Sequence, residues 1–123
     1  MTSSELKDRT KKYAITVLKM LKGLPRQQPY FAITDQLCRS SMSVGANYRA
    51  AVRAKSTKDF INKLKIVEEE CDETLYFMEV LSEISTEKQS ELDVLRKEGN
   101  EILSIIVASI NTSKRKLNNS KNQ

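Results

Sequence analysis

The feature that most constrains the fold is an apolar stripe running through residues 57–84 at steps of three and four residues. Such spacing places apolar side chains on one face of an α-helix, whose period is 3.6 residues. Because the stripe persists for about seven turns, the sequence predicts a single core helix about 42 Å long. Its members are Phe60, Leu64, Val67, Cys71, Leu75, Met78 and Leu81.

Three other segments share this helical period, at residues 4–22, 29–54 and 86–113. The chain has 123 residues and only three glycines and two prolines, which suits one helical domain with short connections. Short connections make consecutive helices antiparallel. We therefore predict an all-α fold, an antiparallel up-down-up-down four-helix bundle over residues 1–113. Residues 114–123 are basic and polar, and we expect them to form a disordered tail.

Individual residues refine this prediction. Ser56 followed three residues later by Asp59 is typical of a helix N-cap. Gly45 lies in mid-helix, where glycine costs about 1 kcal/mol relative to alanine, so it predicts the close approach of another backbone. The alternative is a glycine that the helix merely tolerates. Gly99, also in mid-helix, predicts a helix crossing or a local weakness.

Catalytic and metal chemistry find little support. The chain has no histidine, which excludes histidine general bases, the Ser-His-Asp triad and most zinc sites. The acidic run at residues 68–73 fans around a helix, so we interpret it as a solvated or salt-bridged face. We expect no enzyme activity, no metal and no cofactor.

Cys38 and Cys71 lie far apart within helical segments. Without a secretory signal, two such cysteines are typical of reduced thiols, so we expect a cytoplasmic protein. No apolar run approaches the ~20 residues of a membrane span, and no membrane association is expected.

Charge is segregated along the chain. Residues 1–58 hold 12 Lys and Arg against three Asp and Glu, residues 59–101 hold five against 13, and residues 102–123 hold four against none. The basic helices either pack beside acidic ones, within or between subunits, or present a basic face to phosphates. The cations that would contact nucleic acid are Lys11, Lys12, Lys19, Lys22, Arg26, Arg49, Arg53, Lys55, Lys58, Lys114, Arg115 and Lys116.

A second set of polar residues predicts a seam between the second and third helices. If these helices form a hairpin turning at Lys55 and Ser56, Arg39 lies as far before the turn as Glu73 lies after it. We therefore expect Arg39 to pair with Glu73 or Glu69 in a partly buried, hydrogen-bonded seam. The alternative is a row of exposed polar residues. The predicted seam consists of Gln36, Arg39, Ser43, Asn47, Glu69 and Glu73.

Two motifs carry a family resemblance. Residues 36–47 read QLCRSSMSVGAN, and residues 56–69 read STKDFINKLKIVEE, followed by Glu73, Thr74 and Tyr76. This pattern resembles a bacterial family of four-helix-bundle proteins named for members encoded in intervening sequences of 23S rRNA genes. It is also similar to the accessory variability determinants of diversity-generating retroelements.

The resemblance implies a ring-shaped homopentamer, without a known activity for most members. For the retroelement branch it implies a positively charged ring that binds nucleic acid and a reverse transcriptase. The resulting hypothesis is a non-enzymatic, self-assembling accessory or adaptor protein that contacts RNA or DNA. The alternative is an oligomeric scaffold that binds another protein and no nucleic acid.

Overall fold

A computed structural model describes residues 1–121 of the chain. It contains four α-helices: α1 at Ser3–Leu21, α2 at Tyr30–Val52, α3 at Thr57–Ile84 and α4 at Gln89–Lys121. No strand occurs within the described residues, which confirms the all-α prediction. None of these helices is both long enough and apolar enough to cross a membrane.

Each helix packs against the helix that follows it, and α4 returns to contact α1. The closest association is between α2 and α3, and the α1–α4 side is more open. Since the connecting segments are short, neighbouring helices run antiparallel, as predicted for an up-down-up-down bundle.

The core is built from the apolar stripes of all four helices. Residues with essentially no solvent exposure include Val17 of α1, Leu37 of α2, Leu64 of α3 and Ile106 of α4. All members of the stripe that predicted the core helix are buried, except for the partly buried Phe60 at its start. Burial of these side chains is the main source of stability in such a bundle.

The short connection between α2 and α3 is closed by the predicted cap. The Ser56 side chain accepts a hydrogen bond of 3.1 Å from the Asp59 backbone N–H. The Asp59 carboxylate accepts in turn from the Lys55 backbone N–H and from Lys63 Nζ. Because the bond to Ser56 satisfies a free backbone N–H group in the first turn, α3 begins at Thr57.

Gly45 marks the point where α1 and α2 approach closely. A Cβ atom at this position would lie 3.2 Å from Thr10 Oγ1 and 3.6 Å from the Thr10 backbone. This geometry confirms that the glycine serves close helix packing.

Helix α4 differs from prediction at both ends. It begins at Gln89 because Lys88 has a φ of 65°, which an α-helix cannot include. The prediction of a disordered tail from residue 114 is corrected for residues 114–121, which continue the helix. Ser113 is buried and Leu117 packs against the core, so the helix retains a partner beyond the predicted end. Residues 122 and 123 lie outside the described residues.

Candidate nucleic-acid interface

Three separate segments bring cations to one end of the bundle. Helix α2 ends there, α3 begins there, and α4 returns antiparallel to finish beside the start of α3. A depression of about 320 Å³ at this end is lined by Lys55, Phe60 and Lys116, which places the α4 terminus against the α2–α3 connection. We call this surface the basic end. Its members are Arg49, Arg53, Lys55, Lys58, Lys114, Arg115 and Lys116.

The charge of the basic end is not neutralised internally. All seven side chains are exposed, and within residues 1–121 none of them takes part in a salt bridge. Asp59, in the first turn of α3, forms its salt bridge with Lys63 at 2.8 Å and not with a cation of the basic end. Concentrated like charges create a positive potential that attracts polyanions.

The other predicted cations do not join this surface. Lys22 and Arg26 line a depression at the opposite end of the bundle, with Phe31. Lys12 is paired with Asp8 at 2.8 Å on the outside of α1. Lys19 is exposed near the end of α1, about 24 Å along the helix from its start. The predicted cations are therefore split between the two ends and one side of the bundle. The split arises because those contributed by α1 are spread along the whole helix.

A groove between α1 and α2 continues from the basic end along the side of the bundle. It encloses about 550 Å³, and its cationic margin includes the predicted Lys11 and Arg49, together with Lys7. Its apolar wall includes Ile15, which is 39% exposed, and Met42, which is 48% exposed. Sequence reasoning did not assign this apolar wall or Lys7 to a site. Ile15 and Met42 lie next to the core stripes of their helices, and only the packed structure shows that they face outward.

The predicted seam is reduced to one arginine and two glutamates. Arg39 contacts Glu73, as the hairpin count predicted, and also lies 3.2 Å from Glu70. The suggested partner Glu69 is corrected to Glu70, because Glu69 is exposed one helix position away. Hydrogen bonding to Glu73 is the main cause that raises the pKa of the Arg39 guanidinium.

The remaining seam residues bond within their own helix. Ser43 donates to the Arg39 carbonyl, and the Asn47 side chain donates to the Ser43 carbonyl, each at 2.8 Å. Gln36 is exposed. These residues therefore contribute no hydrogen bond between α2 and α3.

A buried polar contact that sequence reasoning did not single out joins α2 to α3. The hydroxyls of Ser40 and Thr74 lie 2.9 Å apart, and both residues are fully buried. The Thr74 hydroxyl is also 2.8 Å from the Glu70 carbonyl, to which it donates. Ser40 is one of many small residues on α2, so its sequence context carried no distinguishing signal.

A second missed contact joins the first and last helices. The Arg9 guanidinium binds Glu98 through two hydrogen bonds of 2.7 and 2.6 Å, and binds Glu101 at 2.6 Å. The hydrogen bond from Arg9 is the main cause that holds the pKa of the Glu98 carboxyl below its usual 4.5. About 90 residues separate the partners, a distance at which no sequence pattern predicts pairing.

The architecture and these surfaces define a small, all-α four-helix-bundle protein with a cluster of exposed cations at one end. The chain belongs to the family of 23S rRNA-intervening sequence proteins, whose family model matches residues 3–108. It is also similar to a solved protein of unknown function from the S23 ribosomal protein family of Bacteroides thetaiotaomicron VPI-5482. That similarity has a TM-score of 0.82 at 32% identity and covers 90% of this chain and 99% of the other. No curated protein matches the chain significantly.

Proposed function

We propose that the chain is a non-enzymatic, self-assembling bundle that binds the phosphate backbone of structured nucleic acid through its basic end. The observation that carries this proposal is the convergence of seven exposed cations, from three separate segments, without a salt bridge among the described residues. Such a cluster releases condensed counterions when it meets a phosphate backbone, which favours binding.

The composition of the basic end favours phosphate contacts over base recognition. Its lining has one aromatic side chain, Phe60, and that ring is partly buried against the core. Base stacking requires exposed aromatic rings, whereas phosphate contacts require only mobile cations. Binding is therefore expected to depend on charge and shape more than on sequence.

Self-assembly would strengthen such binding. Each copy in a closed oligomer presents its own basic end, and linked sites bind a long polyanion more tightly than one site does. The resemblance to retroelement accessory proteins supports the same proposal and adds a reverse transcriptase as a protein partner. The family name agrees with a link to ribosomal RNA genes.

Fluorescence anisotropy with labelled structured RNA and duplex DNA, over a salt series, tests the proposal. The variant carries Arg53→Gln, Lys55→Gln and Lys116→Gln at the basic end. We expect it to bind more weakly. On duplex DNA, the plot of log association constant against log salt concentration is expected to become less steep by about three units per bound copy.

The matched control carries Lys19→Gln, Arg26→Gln and Lys97→Gln, which remove the same charge from exposed positions on α1, at the opposite end and on α4. It is expected to bind nearly as the unaltered chain does. Equal loss in both variants would show a diffuse response to net charge. Absence of binding at about 50 mM salt, where screening is weak, would reject the nucleic-acid role.

The alternative function is a scaffold that binds another protein, and the groove between α1 and α2 favours it. Exposed apolar side chains beside cations suit an acidic amphipathic partner. In the anisotropy experiment this alternative predicts no binding by the unaltered chain, even at low salt.

A further inference from the structure

The α1–α2 side of the bundle has an apolar centre with cations toward both ends. Ile15 and Met42 are the exposed apolar residues near the centre. Lys7 and Lys11 lie toward the basic end, and Lys22 lies toward the other. Asp8 also lines the groove, but its carboxylate is paired with Lys12 at 2.8 Å. Lys22 follows Lys7 by 15 positions, which span about 22 Å of helix. We call this surface the α1–α2 groove.

The outer side of α3 carries the opposite pattern. Five exposed residues follow one another at steps of three, four, three and four, so they form one stripe along the helix. Tyr76, in the middle, is 59% exposed, and every other member is a carboxylate. We call this surface the α3 stripe. It consists of Glu69, Asp72, Tyr76, Glu79 and Glu83.

The carboxylates of the α3 stripe are largely unpaired within the chain. Within residues 1–121 the only salt bridge among them joins Glu79 to Arg96, and it is long, at 3.9 Å. From Glu69 to Glu83 the stripe spans about 21 Å, close to the length of the cationic margin. Charge signs, apolar centres and lengths of the two surfaces therefore correspond.

We propose that a second copy of this chain lays its α3 stripe into the α1–α2 groove, with Tyr76 against the apolar wall and the carboxylates near the lysines. This inference rests on the self-assembly in the proposed function and identifies the surfaces that carry it. Complementary charge fixes the register of such a contact and suppresses wrong pairings.

The two surfaces lie on different helices of one bundle, so each copy offers one groove and one stripe. A contact of this kind is head-to-tail, and it builds a ring when the rotation closes. A symmetric pairing of groove with groove would place lysines against lysines, which disfavours it.

The test uses nuclease-treated full-length protein and light scattering after size exclusion. A groove variant carries Lys11→Glu and Met42→Glu, and a stripe variant carries Glu69→Lys and Tyr76→Lys. All four positions are exposed, so the bundle is expected to fold, which circular dichroism verifies. Each variant alone is expected to fall to the mass of one chain, 14.0 kDa.

Mixing the two variants gives the decisive result. Each keeps the surface that the other lacks, so equal amounts are expected to form complexes containing both. The control carries Glu91→Lys and Val94→Lys on α4. Like the stripe variant, it replaces one carboxylate and one exposed uncharged side chain by lysine, so the change in net charge is the same. It is expected to keep the parent mass.

Three outcomes would overturn the docking. A stripe variant with the parent mass would show that α3 takes no part, and a groove variant with the parent mass would exclude the groove. Failure of the mixture to associate would exclude a head-to-tail contact. A parent chain that remains at 14.0 kDa at every concentration would instead reject self-assembly itself, and with it this docking, whereas phosphate binding by the basic end is decided by the anisotropy experiment.

Discussion

The hydroxyl of Tyr13 in α1 lies so close over Gly99 in α4 that a Cβ atom at position 99 would be 2.6 Å from its oxygen. The same Cβ would lie 2.9 Å from Leu75 Cδ2. Gly99 therefore marks the crossing of α1 and α4, and the absence of a side chain there lets the Tyr13 ring enter the core. The sequence predicted either a helix crossing or a local weakness at Gly99, and the structure shows the crossing.

We expect Gly99→Ala to destabilise the chain by up to about 2 kcal/mol. Overpacking costs about 1 to 3 kcal/mol, against a gain of about 1 kcal/mol in helix propensity. Urea unfolding measures the change. In the Tyr13→Phe background the cost is expected to shrink, because the clashing oxygen is gone.

Gly23→Ala is the control for this substitution, since a Cβ there would meet only the end of the flexible Lys88 side chain. Its effect is expected to stay within about 0.5 kcal/mol. A stabilising Gly99→Ala would contradict the close crossing.

The Ser40–Thr74 contact predicts a coupled effect on stability. Thr74→Val is expected to cost about 1 to 3 kcal/mol, because it leaves the buried Ser40 hydroxyl without that partner. Adding Ser40→Ala is expected to cost less than the sum of the single changes, and a double-mutant cycle by urea unfolding measures the difference. Strict additivity would count against the contact.

Ser41 is the neighbouring control. Its hydroxyl is buried, and among the described residues it has no hydrogen-bond partner. Since Ser41→Ala removes a desolvated polar group, it is expected to leave stability unchanged or raise it.

The two cysteines are expected to react with thiol reagents at different rates. Burial, together with nearby Glu68, raises the pKa of Cys71 to about 12, so almost no thiolate forms at pH 8. The pKa of the Cys38 thiol is also raised, mainly by burial and then by the negative charge of Asp35, but that thiol is only partly buried. A thiol reagent is expected to label Cys38 in the folded chain and Cys71 only after unfolding. Cys38→Ser identifies the site, and rapid labelling of folded Cys38→Ser protein would contradict the buried position of Cys71.

The Arg9–Glu98 contact predicts loss of stability in acid. A carboxyl whose pKa is lowered on folding adds stability above its unfolded pKa of 4.5 and loses it as pH falls through the folded value. We expect the free energy of unfolding to decrease from pH 5 downward, and Arg9→Gln to reduce that decrease by up to about 1 kcal/mol.

Chemical unfolding at several pH values between 3 and 7 measures this difference. Lys19→Gln is the control, because it removes from the same helix an exposed cation that has no salt bridge within residues 1–121. Its pH dependence is expected to match that of the unaltered chain. The same match for Arg9→Gln would rule out the assigned role of Arg9.

Arg39→Ala is expected to lower the urea midpoint, because it leaves Glu70, whose side chain is only 18% exposed, without its cation. The control Gln36→Ala, at an exposed position one turn earlier on α2, is expected to have no effect. Identical midpoints and oligomer masses for both variants would show that Arg39 contributes neither to folding nor to assembly.

Much of the architecture could be predicted because its causes are local. Apolar spacing within each segment identified four helices, and the Ser56 cap located the start of α3 from four consecutive residues. Counting from that turn also paired Arg39 with Glu73, because an antiparallel hairpin makes equal distances from the turn adjacent.

The tertiary structure decided what depends on helix rotation and on distant neighbours. A rotation of about 100° per residue separates Glu69 from Glu70, and packing alone sets which one faces Arg39. Leu117 keeps α4 helical past the predicted end only because the core offers it a partner. The contacts of Arg9 with Glu98 and of Tyr13 with Gly99 join the first and last helices. No local sequence pattern predicts contacts between residues so far apart in the chain. The sorting of cations into a basic end follows from the same long-range closure, because antiparallel packing returns α4 to the start of α3.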